Sequence, residues 1–206
     1  MNLGAAAVLG YLLGSMPFAV IVAKAFGLAD PRSFGSGNPG ATNVLRSGNK
    51  LAALLTLLGD AGKGLLAMFI AAKLGAGDAA MNMAGLAAFL GHVFPFTLRF
   101  KGGKGVATAF GVLLGFSGVL GAAVAVIWLA VAAITRYSSL AALVAAASAP
   151  FIAMGLNERL DAVLIIAAMS LLLIQRHRPN IQQLLAGTEG RIGGKKSGRE
   201  PPAQDN

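Results

Sequence analysis

The chain has no cysteine, two histidines, few aromatics (7%) and only eight acidic residues, and each shortage removes a class of chemistry. Without thiols there is neither a disulfide framework nor a thiolate metal site. His92 and His177 stand 85 positions apart with no carboxylate cluster beside them, so no metal triad forms and no metal or other cofactor is implied. The H-x-x-x-x-D pair of soluble-face acyltransferases is missing, because Thr97 and Gln182 occupy the places that the aspartate requires. A G-x-x-x-x-G-K-[ST] nucleotide loop is also absent. Charge itself is scarce: 12% of residues are charged against 56% hydrophobic, with a mean hydropathy of +0.71. That is too little polar surface to clothe a soluble domain of 206 residues, so the chain is read as a membrane protein.

What is present is a set of long apolar runs separated by short basic blocks. The first run, 3–26, lacks the basic start and small-residue cleavage pattern of a signal peptide and is too long for one, so it is expected to be a permanent span. It carries Pro17, which a bilayer helix tolerates when neighbours satisfy the freed carbonyl. Further spans are expected over 50–74, 79–98, 139–156 and 160–174. The run 106–135 is too long for one crossing and short for two. Charge parity decides it. If this run crosses twice, turning near 115–118, then Lys24, Arg32, Arg46, Lys50, Arg99, Lys101, Lys104, Arg136, Arg176, Arg178, Arg191, Lys195, Lys196 and Arg199 share the cytoplasmic side. That is 14 of the 17 Lys+Arg, as the positive-inside rule favours. The expected architecture is an all-α polytopic membrane helix bundle of about seven transmembrane helices, N-terminus outside and C-terminus cytoplasmic. Residues 1–190 form a single integral-membrane catalytic domain and 191–206 a disordered basic tail. The net charge of +9 sits in blocks rather than along one stripe, which argues against nucleic acid and for lipid head groups or phosphorylated substrates.

Three polar blocks then fall on one membrane face. In 35–46, GSGNPGATNVLR, the glycines Gly35, Gly37 and Gly40 open the backbone. Ser36, Asn38, Thr42 and Asn43 offer neutral hydrogen-bonding groups, and Arg46 brings a planar fork suited to phosphate. In 100–108, FKGGKGVAT, the glycines Gly102, Gly103 and Gly105 surround Lys101 and Lys104, so that peptide N–H groups and ammonium groups could converge on one anion. The third block, 175–189, holds Arg176, His177, Arg178 and Asn180, and a neutral His177 suits proton abstraction from a hydroxyl. Ser138 and Ser139, beside Arg136 and Tyr137, make a fourth corner. Two readings fit Asp60 and Lys63, three apart within a span: a functional pair or a self-neutralising tether. His92 is read as a packed residue with one satisfied nitrogen.

These blocks, in this order between apolar runs, resemble the bacterial membrane-integral glycerol-3-phosphate acyltransferases that use acyl phosphate as donor, over about residues 1–190. The resemblance implies transfer of a fatty acyl group from acyl phosphate to the 1-hydroxyl of sn-glycerol 3-phosphate, giving lysophosphatidic acid and phosphate for phospholipid biosynthesis. It implies direct transfer without an acyl-enzyme, no cofactor, the two substrates and membrane lipid as partners, and a multi-pass place in the bacterial inner membrane with the site on the cytoplasmic face. Carried over by position, Lys104, Arg46, Ser139, His177 and Asn180 are the implied catalytic set. Ser36, Gly37, Asn38, Thr42, Asn43, Gly102, Gly103 and Gly105 are the implied phosphate-binding set. The rival class is a transporter of a phosphorylated metabolite, which would show repeat symmetry and more midplane charge than this chain carries.

Overall fold

The computed structural model describes residues 1–193 as an all-α bundle: ten α-helices and one 3-10 turn among the described residues. The first apolar run is broken into α1 (Leu3–Gly14) and α2 (Phe18–Ala25) at Pro17, which has no N–H to continue the ladder. The carbonyls freed there are taken up by side chains of other helices. Lys63 Nζ donates to the Met16 carbonyl at 2.8 Å and Thr97 Oγ1 to that of Ser15 at 2.6 Å, which meets the condition that the sequence set for Pro17.

A short helix, α3 (Ala41–Leu45), lies within the first polar block. Next comes α4 (Lys50–Lys73), opened by Asn49, whose side chain accepts the Ala52 N–H at 2.9 Å. It is followed by α5 (Asp78–Val93) and the 3-10 turn Phe96–Leu98. The long run then gives α6 (Val106–Phe116) and α7 (Gly118–Thr135), parted at Ser117, whose extended backbone (φ −157°) ends one helix and whose hydroxyl caps the next. The break thus falls inside the expected turn. The last three helices are α8 (Ser138–Gly155), α9 (Leu160–Arg176) and α10 (Arg178–Leu185), the last two meeting at 57°.

Among the described residues, five helical segments are long and apolar enough to cross a membrane: Leu3–Ala25, α4, Asp78–Leu98, α7 and α8. The bent pair α9 and α10 brings the number to six if the two are taken as one span. With 11 residues, α6 extends only about 16 Å, short of a hydrocarbon core of roughly 30 Å.

Small residues bring the backbones together. A Cβ on Gly10 or Gly14 of α1 would fall 2.1 Å from the carbonyl oxygens of Ala84 and Ala88 on α5. Such close approach recovers dispersion energy where lipid supplies no hydrophobic drive between helices. The central core joins α4, α5, α6, α8 and α9 through Met68, Phe89, Val112, Ala146 and Met169, while leucines on the outer faces stay exposed. At the end of the bundle remote from the basic blocks, Arg159 pairs with Asp78 (3.4 Å) and Asp161 (3.1 Å). Residues 191–193 are tied to the bundle, since Ile192 exchanges hydrogen bonds with Arg136 through its N–H (2.7 Å) and its carbonyl (2.9 Å). The remainder of the expected tail, 194–206, lies outside the described residues.

Candidate active site

The site is built where α5 ends. Pro95 stops the helix, the 3-10 turn follows, and Arg99 and Phe100 adopt positive φ (52° and 62°), a backbone that reverses the chain. Gly102 and Gly103 then run back along α5, donating their N–H groups to the carbonyls of Val93 (3.2 Å) and His92 (3.1 Å). This alters the reading of the glycine loop. Those two N–H groups close the end of α5 and are not offered to an anion, so what this loop presents to a ligand is the side chains of Lys101 and Lys104.

The first block is shaped by Asn43, which is 2% exposed. Its Oδ1 accepts the Ser36 N–H at 3.0 Å, while its Nδ2 donates to the carbonyls of Pro31 (2.6 Å) and Phe34 (3.2 Å). Both of its amide hydrogens are thereby used within the loop, so Asn43 fixes the loop rather than gripping a ligand. Gly35, at φ +59°, has room for no side chain, because a Cβ would sit 2.3 Å from Asn43 Oδ1 and 3.2 Å from an Arg46 guanidinium nitrogen. Thr42 Oγ1 lies 3.2 Å from Ser138 Oγ, joining this block to the start of α8.

From the third block, Asn180 on α10 reaches the centre. Its Oδ1 accepts from Lys104 Nζ at 2.5 Å, and its Nδ2 donates to Glu189 Oε1 at 2.9 Å. The same carboxylate oxygen accepts from Ser139 Oγ at 2.5 Å. The chain Lys104–Asn180–Glu189–Ser139 therefore links the glycine loop, α10, the segment after it and the first turn of α8. Burial holds the Lys104 ammonium below the ordinary lysine range; Glu189 opposes that shift, and the positive charges of Arg46 and Arg176 add to it. A phosphate entering here would meet three cations offset by one carboxylate.

His177, in the break between α9 and α10, is 3% exposed, with Nδ1 at 2.8 Å from the Leu173 carbonyl. That acceptor requires the proton on Nδ1. Burial pushes its pKa down to about 4, the Leu173 carbonyl opposing and the Lys104 charge reinforcing the shift. The imidazole is thus neutral, as the sequence suggested, but set in the protein rather than presented to solvent.

A cavity of about 1100 Å³ opens beside this network. Ser36, Asn38, Lys104, Arg176 and Asn180 line its polar wall, and Phe94 and Leu172 supply apolar surface. That combination suits a ligand with anionic groups at one end and a hydrocarbon chain at the other.

The family model described as glycerol-3-phosphate acyltransferase matches residues 4–187. This chain belongs to the glycerol-3-phosphate acyltransferase family. It is 56% identical over 196 residues to the glycerol-3-phosphate acyltransferase of Dechloromonas aromatica, covering 95% of this chain and 99% of the relative. It is 60% identical over 196 residues to that of Laribacter hongkongensis, covering 93% and 97%. The crystal structure of PlsY (YgiH), an integral membrane glycerol 3-phosphate acyltransferase, in its glycerol 3-phosphate form superposes with a TM-score of 0.85 at 38% identity, covering 91% of this chain and 94% of that one. Its lysophosphatidic acid form gives 0.83 at 37%.

Within this acyltransferase family member, the residues expected from sequence fall into three groups. Ser36, Gly37, Asn38, Gly102, Lys104 and Asn180 line the cavity. Ser139, Thr42 and Arg46 lie outside that lining: Ser139 is buried against Glu189, while Thr42 and Arg46 are exposed, beside Ser138 and the Gly35 loop. Asn43, Gly103, Gly105 and His177 are buried. Sequence reasoning passed over two residues. Glu189 accepts from both Ser139 and Asn180, and its signal was its isolation as the one carboxylate in a block of cations. Arg176 lines the cavity, donates to the Gly102 carbonyl at 3.2 Å and lies 5.8 Å from the Phe94 ring. From the sequence it was one of the cations beside His177, with no site role of its own.

Proposed function

We propose that this family member moves a fatty acyl group from acyl phosphate to the 1-hydroxyl of sn-glycerol 3-phosphate, giving lysophosphatidic acid and inorganic phosphate. The observation that carries this reading is the Lys104–Asn180–Glu189–Ser139 chain on the wall of a half-apolar, cation-rich cavity. In support, the similar PlsY structure is described in a glycerol 3-phosphate form and a lysophosphatidic acid form, the acceptor and product of such a transfer.

In this reading Lys104 and Arg46, with Ser36, Asn38 and Thr42, gather phosphate oxygens, and Phe94 and Leu172 flank the acyl chain. The acceptor hydroxyl attacks the acyl carbonyl carbon, the carbonyl-to-phosphate C–O bond breaks, and phosphate leaves. The donor is already an activated anhydride, so alignment and charge stabilisation of the departing phosphate supply the rate, with no acyl-enzyme. The buried, neutral His177 is a positioning group here, and a substrate phosphate oxygen accepts the hydroxyl proton. Seven crossings are counted with α6 and α9 included, N-terminus outside, C-terminus and site on the cytoplasmic face of the bacterial inner membrane. The charge bias along the sequence supports that orientation, since it is the one the positive-inside rule favours. The test is purified protein with acyl phosphate and labelled glycerol 3-phosphate. Lysophosphatidate should form with wild type and fall to background with Lys104→Ala; equal yields from the two would overturn the reading and favour the transporter.

A further inference from the structure

Three ionisable side chains that the proposed transfer does not use lie together inside the bundle. Asp60 and Lys63 face inward from α4, 2% and 4% exposed, and His92, in the last turn of α5, is 8% exposed. Lys63 Nζ is 2.8 Å from Asp60 Oδ1 and donates to the Met16 carbonyl at the α1–α2 break. His92 Nδ1 approaches the same Asp60 oxygen at 3.4 Å. That oxygen is within ion-pair reach of both groups yet receives a well-aligned hydrogen bond from neither. Charges held at such depth are costly and are kept for a purpose other than simple cohesion.

The far edge of His92 shows what that purpose is. A Cβ on Gly103 would lie 2.1 Å from His92 Nε2, and one on Gly102 would lie 2.1 Å from the His92 carbonyl oxygen. The glycine loop is therefore seated on His92, one residue before Lys104, and is clasped from α9 by Arg176 at the Gly102 carbonyl. A cavity of about 10 Å³ at the cluster is lined by Met16, Pro39, Asp60, His92, Gly102 and Gly103. It brings the α1–α2 break, the first polar block and the glycine loop to one point.

Resting on the acyl-transfer reading above, we propose that Asp60, Lys63 and His92 form a positioning cluster that seats the glycine loop on the His92 ring and so sets the Lys104 ammonium against the first polar block. Asp60 orients the ring through the Nδ1 edge, and Lys63 anchors Asp60 to the α1–α2 break. Through the loop they act on phosphate binding while touching no substrate.

The experiment is a cycle of Gly103→Ala, His92→Ala and the double variant, with Asp60→Asn beside it. Each is measured for kcat/KM with acyl phosphate and glycerol 3-phosphate and for the rise in melting temperature that glycerol 3-phosphate or inorganic phosphate produces. A loop displaced by about 1 Å should lower kcat/KM on the order of 10²-fold in each single variant. The ligand-free melting curve should stay cooperative while the ligand-induced rise shrinks. The decisive outcome is rescue: removing the ring makes room for the new methyl, so the double variant should exceed Gly103→Ala in both readouts. Losses that simply multiply would overturn the proposal. Should Asp60→Asn yield no monodisperse protein, the Gly103 and His92 cycle decides alone. Wild type inactive with both substrates would instead sink the transfer reading, and the phosphate-induced melting shift would still decide the seating of the loop.

Discussion

Glu189→Gln isolates the charge of the residue that joins two blocks while keeping its shape. Glu189 Oε1 accepts from Ser139 Oγ at 2.5 Å and from Asn180 Nδ2 at 2.9 Å. A hydrogen bond to an ionised acceptor is worth about 1 kcal/mol more than the neutral equivalent, so two bonds put about 2 kcal/mol at stake. Partial exposure of Glu189 screens some of this, leaving roughly a tenfold to thirtyfold fall in kcat/KM. The pH profile carries a separate signature. Burial lowers the Lys104 pKa and Glu189 opposes that shift, so removing the carboxylate lowers it further. Because protonated Lys104 is the form that binds phosphate, the alkaline limb of kcat/KM should move to lower pH in Glu189→Gln. The assay is initial rate against pH at subsaturating glycerol 3-phosphate, on variants matched for monodispersity and helical content. A rate within threefold of wild type, or an alkaline limb moved upward, would refute the network.

Further outcomes are expected. Lys104→Ala and Arg46→Ala should each lower kcat/KM by about 10³-fold, more than His92→Ala, since they remove the cations proposed to gather phosphate; a His92→Ala loss of equal size would contradict that division. In thermal unfolding, Asp60→Asn strands the buried Lys63 charge and should cost about 3–5 kcal/mol, whereas Asp60→Asn combined with Lys63→Met should cost less than the single change. His177 has its folded pKa lowered from 6.5 to about 4, so the unfolded chain binds the extra proton first and stability falls as pH drops from 6.5 towards 4. That portion of the acid slope should vanish in His177→Gln, as followed by melting temperature. Single cysteines introduced into this cysteine-free chain should be unreactive to an external reagent at position 178 and reactive at position 159.

Much of the bundle was legible from pattern alone. The spans 50–74, 79–98 and 139–156 correspond closely to α4, Asp78–Leu98 and α8, because a bilayer demands long apolar helices whatever their neighbours. The break in 106–135 was foreseen from length and charge parity, and Ser117 supplies it. The short reach of α6 was not legible, since helix ends depend on local capping rather than on hydropathy.

For the site, the sequence alone determined which residue types were available and that three polar blocks, pairing cations with glycine or amide side chains, belonged together, because charge bias and apolar length are summed along the chain. Only the tertiary structure decided what each side chain does there. Asn43 and the N–H groups of Gly102 and Gly103 looked free on paper and are spent inside the fold, while Glu189 looked incidental and accepts from two elements at once. Hydrogen-bond partners such as Lys104 and Asn180 lie 76 residues apart, so pairing is set by how helices pack. The same holds for Asp60, Lys63 and His92: their types announced that something costly was buried, and only packing brought them together and set His92 against Gly103.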